Sequence, residues 1–217
     1  MIKTVLFDLD GTLLNTLDDL ADAGNWVCAQ HGWPVYPVEA YKHMVGNGIP
    51  KLVERFSPPE ARTPERLAET LAEFTARYDA HKEDKTAPYP GIPELLDALD
   101  AAGVQAAVFS NKAHPLCGKI LEHYFGPRFA AVRGSMPGVP TKPDPAGLYA
   151  LMDELGADPA CTLFVGDSDV DILTGHNAHL PALGVLWGFR DAAELTGAGA
   201  DALAHTPADI LQYIRTH

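Results

Sequence analysis

The stretch Val5-Leu6-Phe7-Asp8-Leu9-Asp10-Gly11-Thr12 restricts the possible folds more than any other part of the chain. Thr4-Val5-Leu6-Phe7 is a short apolar run of the kind that forms a strand buried on both faces, as in parallel sheets covered by helices. The run ends abruptly in two carboxylates with Leu9 between them. On an extended backbone, side chains two apart point the same way, which predicts that Asp8 and Asp10 face one site beyond the strand end. Gly11 frees the backbone, and Thr12 offers a hydroxyl and an amide beside the acids. Carboxylates placed so repel each other unless a cation or a shared proton offsets the charge. A strand followed by an Asp-Gly turn accounts for the same residues. Later stretches decide between the two.

After this strand, Thr16 reads as a helix N-cap with Asp18 and Asp19 in the first turn, where acids suit the helix dipole. Leu17, Leu20, Ala21 and Gly24 follow at helical spacing. From Pro34 to about Pro88 the pattern stays helical, interrupted by a loop at Val45-Gly46-Asn47-Gly48. Pro64, capped by Thr63, opens a longer helix through Leu67, Leu71, Phe74 and Tyr78. The expected organisation is an α/β core of residues 1–14 and 87–217 with an inserted helical domain of residues 15–86.

Beyond the turn-rich linker Ala87-Pro88-Tyr89-Pro90-Gly91, strands and helices alternate. Strands are expected at 104–109, 129–132, 161–165, 183–186 and 202–203, with helices between them and a last one ending near Ile214. Such alternation implies a doubly wound, Rossmann-like parallel sheet with helices on both faces. Ligands then bind outside the carboxyl ends of the strands.

Those ends are polar. Val108-Phe109 runs into Ser110-Asn111-Lys112, whose hydroxyl and amide can bond an anionic oxygen or simply cap a helix. Thr141-Lys142-Pro143-Asp144-Pro145 holds a lysine in a stiff setting suited to a cation that must be aimed. Leu163-Phe164-Val165 ends in Gly166-Asp167-Ser168-Asp169-Val170-Asp171, and a helix starting there puts Asp167 and Asp171 on one face. Two acidic strand ends, a hydroxyl end and an aimed lysine form one site more readily than four coincidences. Hard oxygen ligands beside an anion contact point to Mg²⁺ and phosphate.

The net charge of −13 argues against a nucleic-acid or anionic-membrane surface, yet permits a small anionic substrate where a metal and local cations reverse the potential. Cys28, Cys117 and Cys161 show no C-x-x-C spacing, and no secretory leader or membrane-length apolar run is evident, so a cytoplasmic protein is expected.

These motifs together resemble the haloacid dehalogenase superfamily of phosphohydrolases, in its phosphoglycolate phosphatase-like branch with a helical cap. Phe7-Asp8-Leu9-Asp10-Gly11-Thr12-Leu13 matches the first motif, Phe109-Ser110-Asn111-Lys112 the second, Lys142-Pro143 the third and Gly166–Asp171 the fourth. The helical block lies where the family's cap belongs. The resemblance implies that Asp8 attacks phosphorus and carries an aspartyl phosphate, while Asp10 protonates the leaving oxygen and then takes a proton from water. It implies that Ser110, Asn111, Gly11 and Thr12 hold the phosphate and that Lys142 offsets charge. Mg²⁺ would be ligated by Asp8, the backbone carbonyl of Asp10, and Asp167. Asp171 would hold the metal's waters or orient Lys142, and Asp169 would remain a surface or cap acid. In the cap, Gly46, Asn47 and Gly48 resemble the substrate-contacting loop of this branch. Ile49-Pro50 stand where sugar-phosphate mutases carry an arginine, which counts against a mutase.

Lys42, Lys51 and Arg55 are candidate partners for a substrate carboxylate, against the blander reading of a solvated helix face. A phosphonate C–P hydrolase or another phosphotransferase on the same framework, and a receiver-type phospho-acceptor, are the alternatives at this point. The expected partner is a small phosphorylated metabolite, and the expected assembly a monomer or homodimer.

Overall fold

The structure is a computed structural model and describes residues 1–217. In chain order the elements are β1 (Thr4–Phe7), β2 (Leu14–Asn15), α1 (Leu17–Gln30), α2 (Val38–Tyr41), α3 (Ile49–Phe56), α4 (Pro64–His81), β3 (Ala87–Pro88), α5 (Ile92–Ala101), β4 (Gln105–Ala113) and α6 (His114–Phe125). They continue as β5 (Val132–Ser135), α7 (Ala146–Leu155), β6 (Thr162–Gly166), α8 (Asp169–Asn177), β7 (Ala182–Val185), α9 (Ala192–Gly197), β8 (Ala202–Ala204) and α10 (Pro207–Thr216). The chain divides into two compact units, Met1–Leu14 with Pro88–His217, and Asn15–Ala87. β2 and β3, where the chain passes between units, pair as a two-stranded sheet. No helix is long and apolar enough to cross a membrane.

The first unit is α/β. Its sheet has the order β5-β4-β1-β6-β7-β8, and every pair is parallel. β1 is central and fully buried because all four of its residues pack against helices on one face or the other. Val5 and Phe7 join a core with Ile92, Leu95, Ile120, Leu121 and Ile210. Leu6 faces the opposite core with Phe109, Leu148, Leu151 and Phe164. This opposite facing of neighbouring side chains is the period-two geometry of a strand. Phe7 is in register with Val108 on one side and Val165 on the other, so the strand ends bearing Asp8, Ser110 and Asp167 come level.

Several elements differ from expectation. β4 runs on to Ala113, so Ser110, Asn111 and Lys112 belong to the strand and not to a helix start. β5 begins at Val132 instead of residue 129. Phe129 packs edge-on to Phe125, their ring centroids 5.9 Å apart, so its apolar character serves the core beside the strand. α9 has no counterpart in the sequence reading; it is one short turn-and-a-half capped by Asp191.

The helical unit packs α1 on α2 and α4, with α3 against α4. Leu17, Leu20, Ala21 and Gly24 are buried as their spacing requires. Phe74 is fully buried, its ring 5.9 Å from Phe56 and stacked 5.8 Å from Tyr78. Leu67 and Leu71 stay half-buried. The α1 cap is not what the sequence suggests. Thr16 makes no side-chain cap bond, and Asn15 Oδ1 accepts from Leu17 N at 3.3 Å instead. Asp19 is buried and accepts from Lys85 N, Thr86 N and Thr86 Oγ1, tying the start of α1 to the segment that leaves the unit.

Candidate active site

The site lies at the carboxyl ends of β1, β4 and β6 in the α/β unit. β1 stops at Phe7, and Asp8 N donates to Val165 O at 2.9 Å, which pins the first acid to the end of β6. The backbone then turns. Gly11 sits at φ +89°, and its N–H donates to Leu14 O. β1 thus ends before Asp10, which the turn brings into a bridge with Leu14. Asp10 stays near enough for its charge to raise Asp8, but its carboxylate is held by Lys112 Nζ at 3.1 and 3.4 Å.

Asp8, Asp167 and Asp171 are all buried, and one oxygen from each falls within 4.8 Å of the others. Ser168 caps α8 in a reciprocal box with Asp171, and the helix itself begins at Asp169. Asp167 thus precedes the helix, and it meets Asp171 across the strand–helix turn, not along a helix face as the sequence suggests. Asp169 is a partly exposed first-turn acid.

The cations and donors around the triad have definite assignments. Lys142 Nζ is 2.6 Å from Asp171 Oδ1 and 2.8 Å from Asp8 Oδ1. The second contact is an ion pair without hydrogen-bond geometry, and it leaves Asp8 Oδ1 buried with no hydrogen bond. Asp171 Oδ2 accepts from Ser168 N and Oγ, so Asp171 is saturated by Lys142 and its own cap. Asp167 accepts from Thr12 Oγ1 at 3.1 Å and from Phe189 N at 2.8 Å.

Two groups that the sequence offers to a ligand are used by the protein itself. Thr12 gives its hydroxyl to Asp167 and its amide to Leu9 O. Asn111 Oδ1 accepts from Lys142 N at 2.8 Å, and its Nδ2 donates to Lys142 O at 3.3 Å. This two-point grip on the lysine's backbone, beyond the flanking prolines, places Lys142. Ser110 is buried, and its Oγ accepts from Lys112 N.

Burial dominates the electrostatics. It pushes Asp8 up to about 6 against the opposing pull of Lys142, with Asp171 and then Asp10 adding to the rise. Asp167 is raised well above its ordinary value by burial, then by Asp171 and Asp8. Burial works against the Lys142 ammonium, but Asp171 and Asp8 overcome it and hold the lysine above its ordinary value. Three carboxylates are buried together, the one lysine among them contacts only Asp8 and Asp171, and the surplus negative charge calls for a further cation.

The donor set fits a hard divalent ion. The three clustered side-chain ligand atoms are carboxylate oxygens, one Asp8 oxygen is buried without a hydrogen bond, and three glycines pack closely against the acids. A Cβ on Gly11 or Gly188 would lie 2.3 Å from the nearest Asp167 atom, and one on Gly166 would lie 2.2 Å from Asp171.

Four contributors carry no strong local signal in the sequence. Lys112 stands out in the sequence only as part of a motif, since nothing local shows that it is buried. Gly188 and the Phe189 amide belong to the loop after β7, where no motif marks them. Trp187 Nε1 donates to Thr12 O at 3.0 Å from the same loop.

Gly46, Asn47 and Gly48 belong to the helical unit. Gly46 and Gly48 take φ of +109° and +83°, conformations that disfavour a side chain. Arg55, read from sequence as a solvated side chain or a carboxylate partner, instead braces this loop, donating to Met44 O and Asn47 Oδ1 at 2.7 Å each. Lys42, just past α2, pairs with Glu39 of that helix, and Lys51 pairs with Glu54 within α3.

Comparison with known proteins places the chain among relatives. Residues 2–179 match the family model of haloacid dehalogenase-like hydrolases. A phosphoglycolate phosphatase of Agrobacterium fabrum is 36% identical over 189 residues, covering 86% of this chain and 81% of the relative. That of Caulobacter vibrioides is 35% identical, covering 95% and 88%. Among solved structures, a predicted phosphoglycolate phosphatase from Haemophilus somnus superposes with a TM-score of 0.89 at 29% identity, covering 98% and 97%. CbbY from Rhodobacter sphaeroides, solved in complex with phosphate, does so with a TM-score of 0.80 at 25% identity, covering 97% and 96%.

Proposed function

This chain belongs to the haloacid dehalogenase-like hydrolases and is a phosphatase, and we propose that it hydrolyses a small phosphomonoester, 2-phosphoglycolate among the better ones, through a phosphorylated Asp8. The observation that carries this reading is the Asp8 oxygen that is buried, free of hydrogen bonds and faced by an aimed lysine. A structural carboxylate is bonded on every buried oxygen, as Asp171 is. A carboxylate left bare beside a cation is placed to make a new bond.

In the proposed reaction Asp8 attacks phosphorus and the bond to the leaving oxygen breaks. Asp10 gives that oxygen a proton, then takes one from the water that attacks the acyl phosphate and restores Asp8. Ser110 donates to a phosphate oxygen, while Lys142 holds Asp8 in place and offsets charge on the phosphoryl group. Asn111 acts by fixing Lys142, and Thr12 by fixing Asp167. Asp8, Asp167 and the Asp10 carbonyl would hold Mg²⁺, with Asp171 beside it, and the bound ion would offset negative charge on the transferring phosphoryl group.

Phosphate chemistry is provided within the α/β unit, so we assign the choice of leaving group to the helical unit of residues 15–86, in the role of a cap. Arg55 occupies Asn47 Oδ1, which leaves Nδ2 as the donor offered to a short anionic leaving group. The names of the relatives from Agrobacterium fabrum and Caulobacter vibrioides, and the phosphate bound by CbbY, support this reading.

Phosphate release over a panel of phosphomonoesters tests it. We expect 2-phosphoglycolate to outrank nucleoside monophosphates, and Asn47→Ala to change that ranking more than it changes hydrolysis of a simple aryl phosphate. Faster turnover of nucleoside monophosphates would overturn the substrate assignment.

A further inference from the structure

The α/β unit buries a second lysine that the reading above leaves without a role. Lys112 sits near the end of β4, and its side chain is 2% exposed. Burying an ammonium is costly unless a charged partner compensates it. Its partner is Asp10, both of whose oxygens lie within reach, at 3.1 and 3.4 Å. The lysine's own backbone is closely packed. Lys112 N donates to Ser110 Oγ, and Cys117 Sγ donates to Lys112 O. Gly134 lies so near that a Cβ there would stand 2.5 Å from Lys112 O. Asp10, in contrast, is 21% exposed by side chain and follows the end of β1 into a turn. The fixed group is the lysine, and the carboxylate is the one being held.

The two reacting carboxylates are thus served separately, Asp8 by Lys142 and Asp10 by Lys112. We propose that Lys112 is a positioning residue for proton transfer, holding the Asp10 carboxyl group where it meets the leaving oxygen and then the attacking water. This rests on the reading of Asp8 as nucleophile and Asp10 as proton carrier. In the first step the Asp10 proton moves to the bridging oxygen as the P–O bond breaks and the Asp8–phosphorus bond forms. In the second, water loses a proton to Asp10 as it bonds phosphorus and releases Asp8. A misplaced Asp10 slows whichever steps need its proton, and leaves the others alone.

Leaving-group dependence tests this. An alkyl phosphate needs the proton to depart, whereas p-nitrophenolate does not. Lys112→Met should lower kcat/KM for 2-phosphoglycolate or glycerol phosphate by about 10²-fold, in the range of a lost general acid, and that for p-nitrophenyl phosphate by less than about tenfold. With p-nitrophenyl phosphate the variant should also show a burst of nitrophenolate, because the water step still needs Asp10. Lys112→Arg should recover part of the alkyl phosphate activity, and Lys112→Met added to Asp10→Asn should cost nothing further. A thermal melt of each variant separates folding loss from catalytic loss.

Equal losses across all leaving groups, or full additivity with Asp10→Asn, would overturn the proposal. If Asp10→Asn shows the leaving-group dependence and Lys112→Met does not, the assignment of Lys112 alone fails. If Asp10→Asn shows none, or Asp8→Asn stays active, the reading beneath it fails as well.

Discussion

Replacing Lys142 by methionine removes the only cation in contact with the Asp8–Asp171 pair while keeping the length of an apolar stem. Lys142 lies 2.8 Å from Asp8 and 2.6 Å from Asp171, and all three side chains are buried. Breaking a buried ion pair by deleting one partner costs ~3–5 kcal/mol, because the remaining charge is left uncompensated. A carboxylate can escape that cost by taking a proton. From its ordinary value of 3.8, protonation at pH 7.5 costs about 5 kcal/mol at about 1.4 kcal/mol per unit of pH. The two limits agree, and a loss of ~3–5 kcal/mol corresponds to a fall in Tm of roughly 6–20 °C for a chain of this size.

The pH dependence has a definite sign. Burial already pushes Asp8 up to about 6 in the folded protein against 3.8 for a free carboxyl group. Its ionisation therefore costs stability as pH rises between those values, and less is lost as pH falls through them. Without Lys142 the folded value moves higher still, so the Tm deficit of the variant should be greatest near neutral pH and shrink towards pH 4. The assay is a thermal melt in chelator across that pH range, repeated with Mg²⁺. Mg²⁺ at 100-fold its Kd should return about 2.7 kcal/mol. It should raise the variant's Tm more than the wild type's, since no lysine competes for the acids. A variant as stable as wild type in chelator at pH 7.5, or a deficit that grows on acidification, would refute the charge argument.

Gly166→Ala should fold with a modest loss of about 1–3 kcal/mol from overpacking, yet lose at least tenfold in kcat. Its Cβ would stand 2.2 Å from Asp171, which must shift and release Lys142; a melt and a phosphatase assay compare the two losses. Activity should vanish in excess chelator, and Asp167→Asn should raise the metal concentration needed for half-maximal rate, since Asp167 contributes to the buried acid triad. Full turnover in chelator would contradict the metal site. Phe74→Ala should destabilise the helical unit by ~3–5 kcal/mol, read by denaturant unfolding, because the ring is fully buried between Phe56 and Tyr78.

Much of this molecule is legible along the chain because its signals are local. The apolar run of β1, the spacing of Leu17, Leu20, Ala21 and Gly24, and the acids at Asp8, Asp167 and Asp171 each lie within a few residues. A parallel sheet requires crossovers, so alternating elements predict both the sheet and the strand ends at which ligands bind. What the sequence could not decide is what each polar group touches. Thr12, Asn111, Asp171 and Lys112 each offer the same donors or acceptors on paper as they do in the fold. Their roles depend on partners 155, 31, 29 and 102 residues away in the chain. Register between β1, β4 and β6, together with the loop that carries Lys142 and the start of α8, sets those pairings. The start of α1 differs from its sequence reading for a related reason, whereas Thr63 caps α4 as expected. Asp19 has the composition of a solvated first-turn acid, but the segment at Lys85 and Thr86 returns to bury it and supply three hydrogen-bond donors. Sequence alone thus determined which chemistry the chain carries and at which ends of the sheet. Tertiary structure decided which partner holds each of those groups, because a hydrogen bond made inside the protein fixes a side chain's position and takes up part of its donor or acceptor capacity.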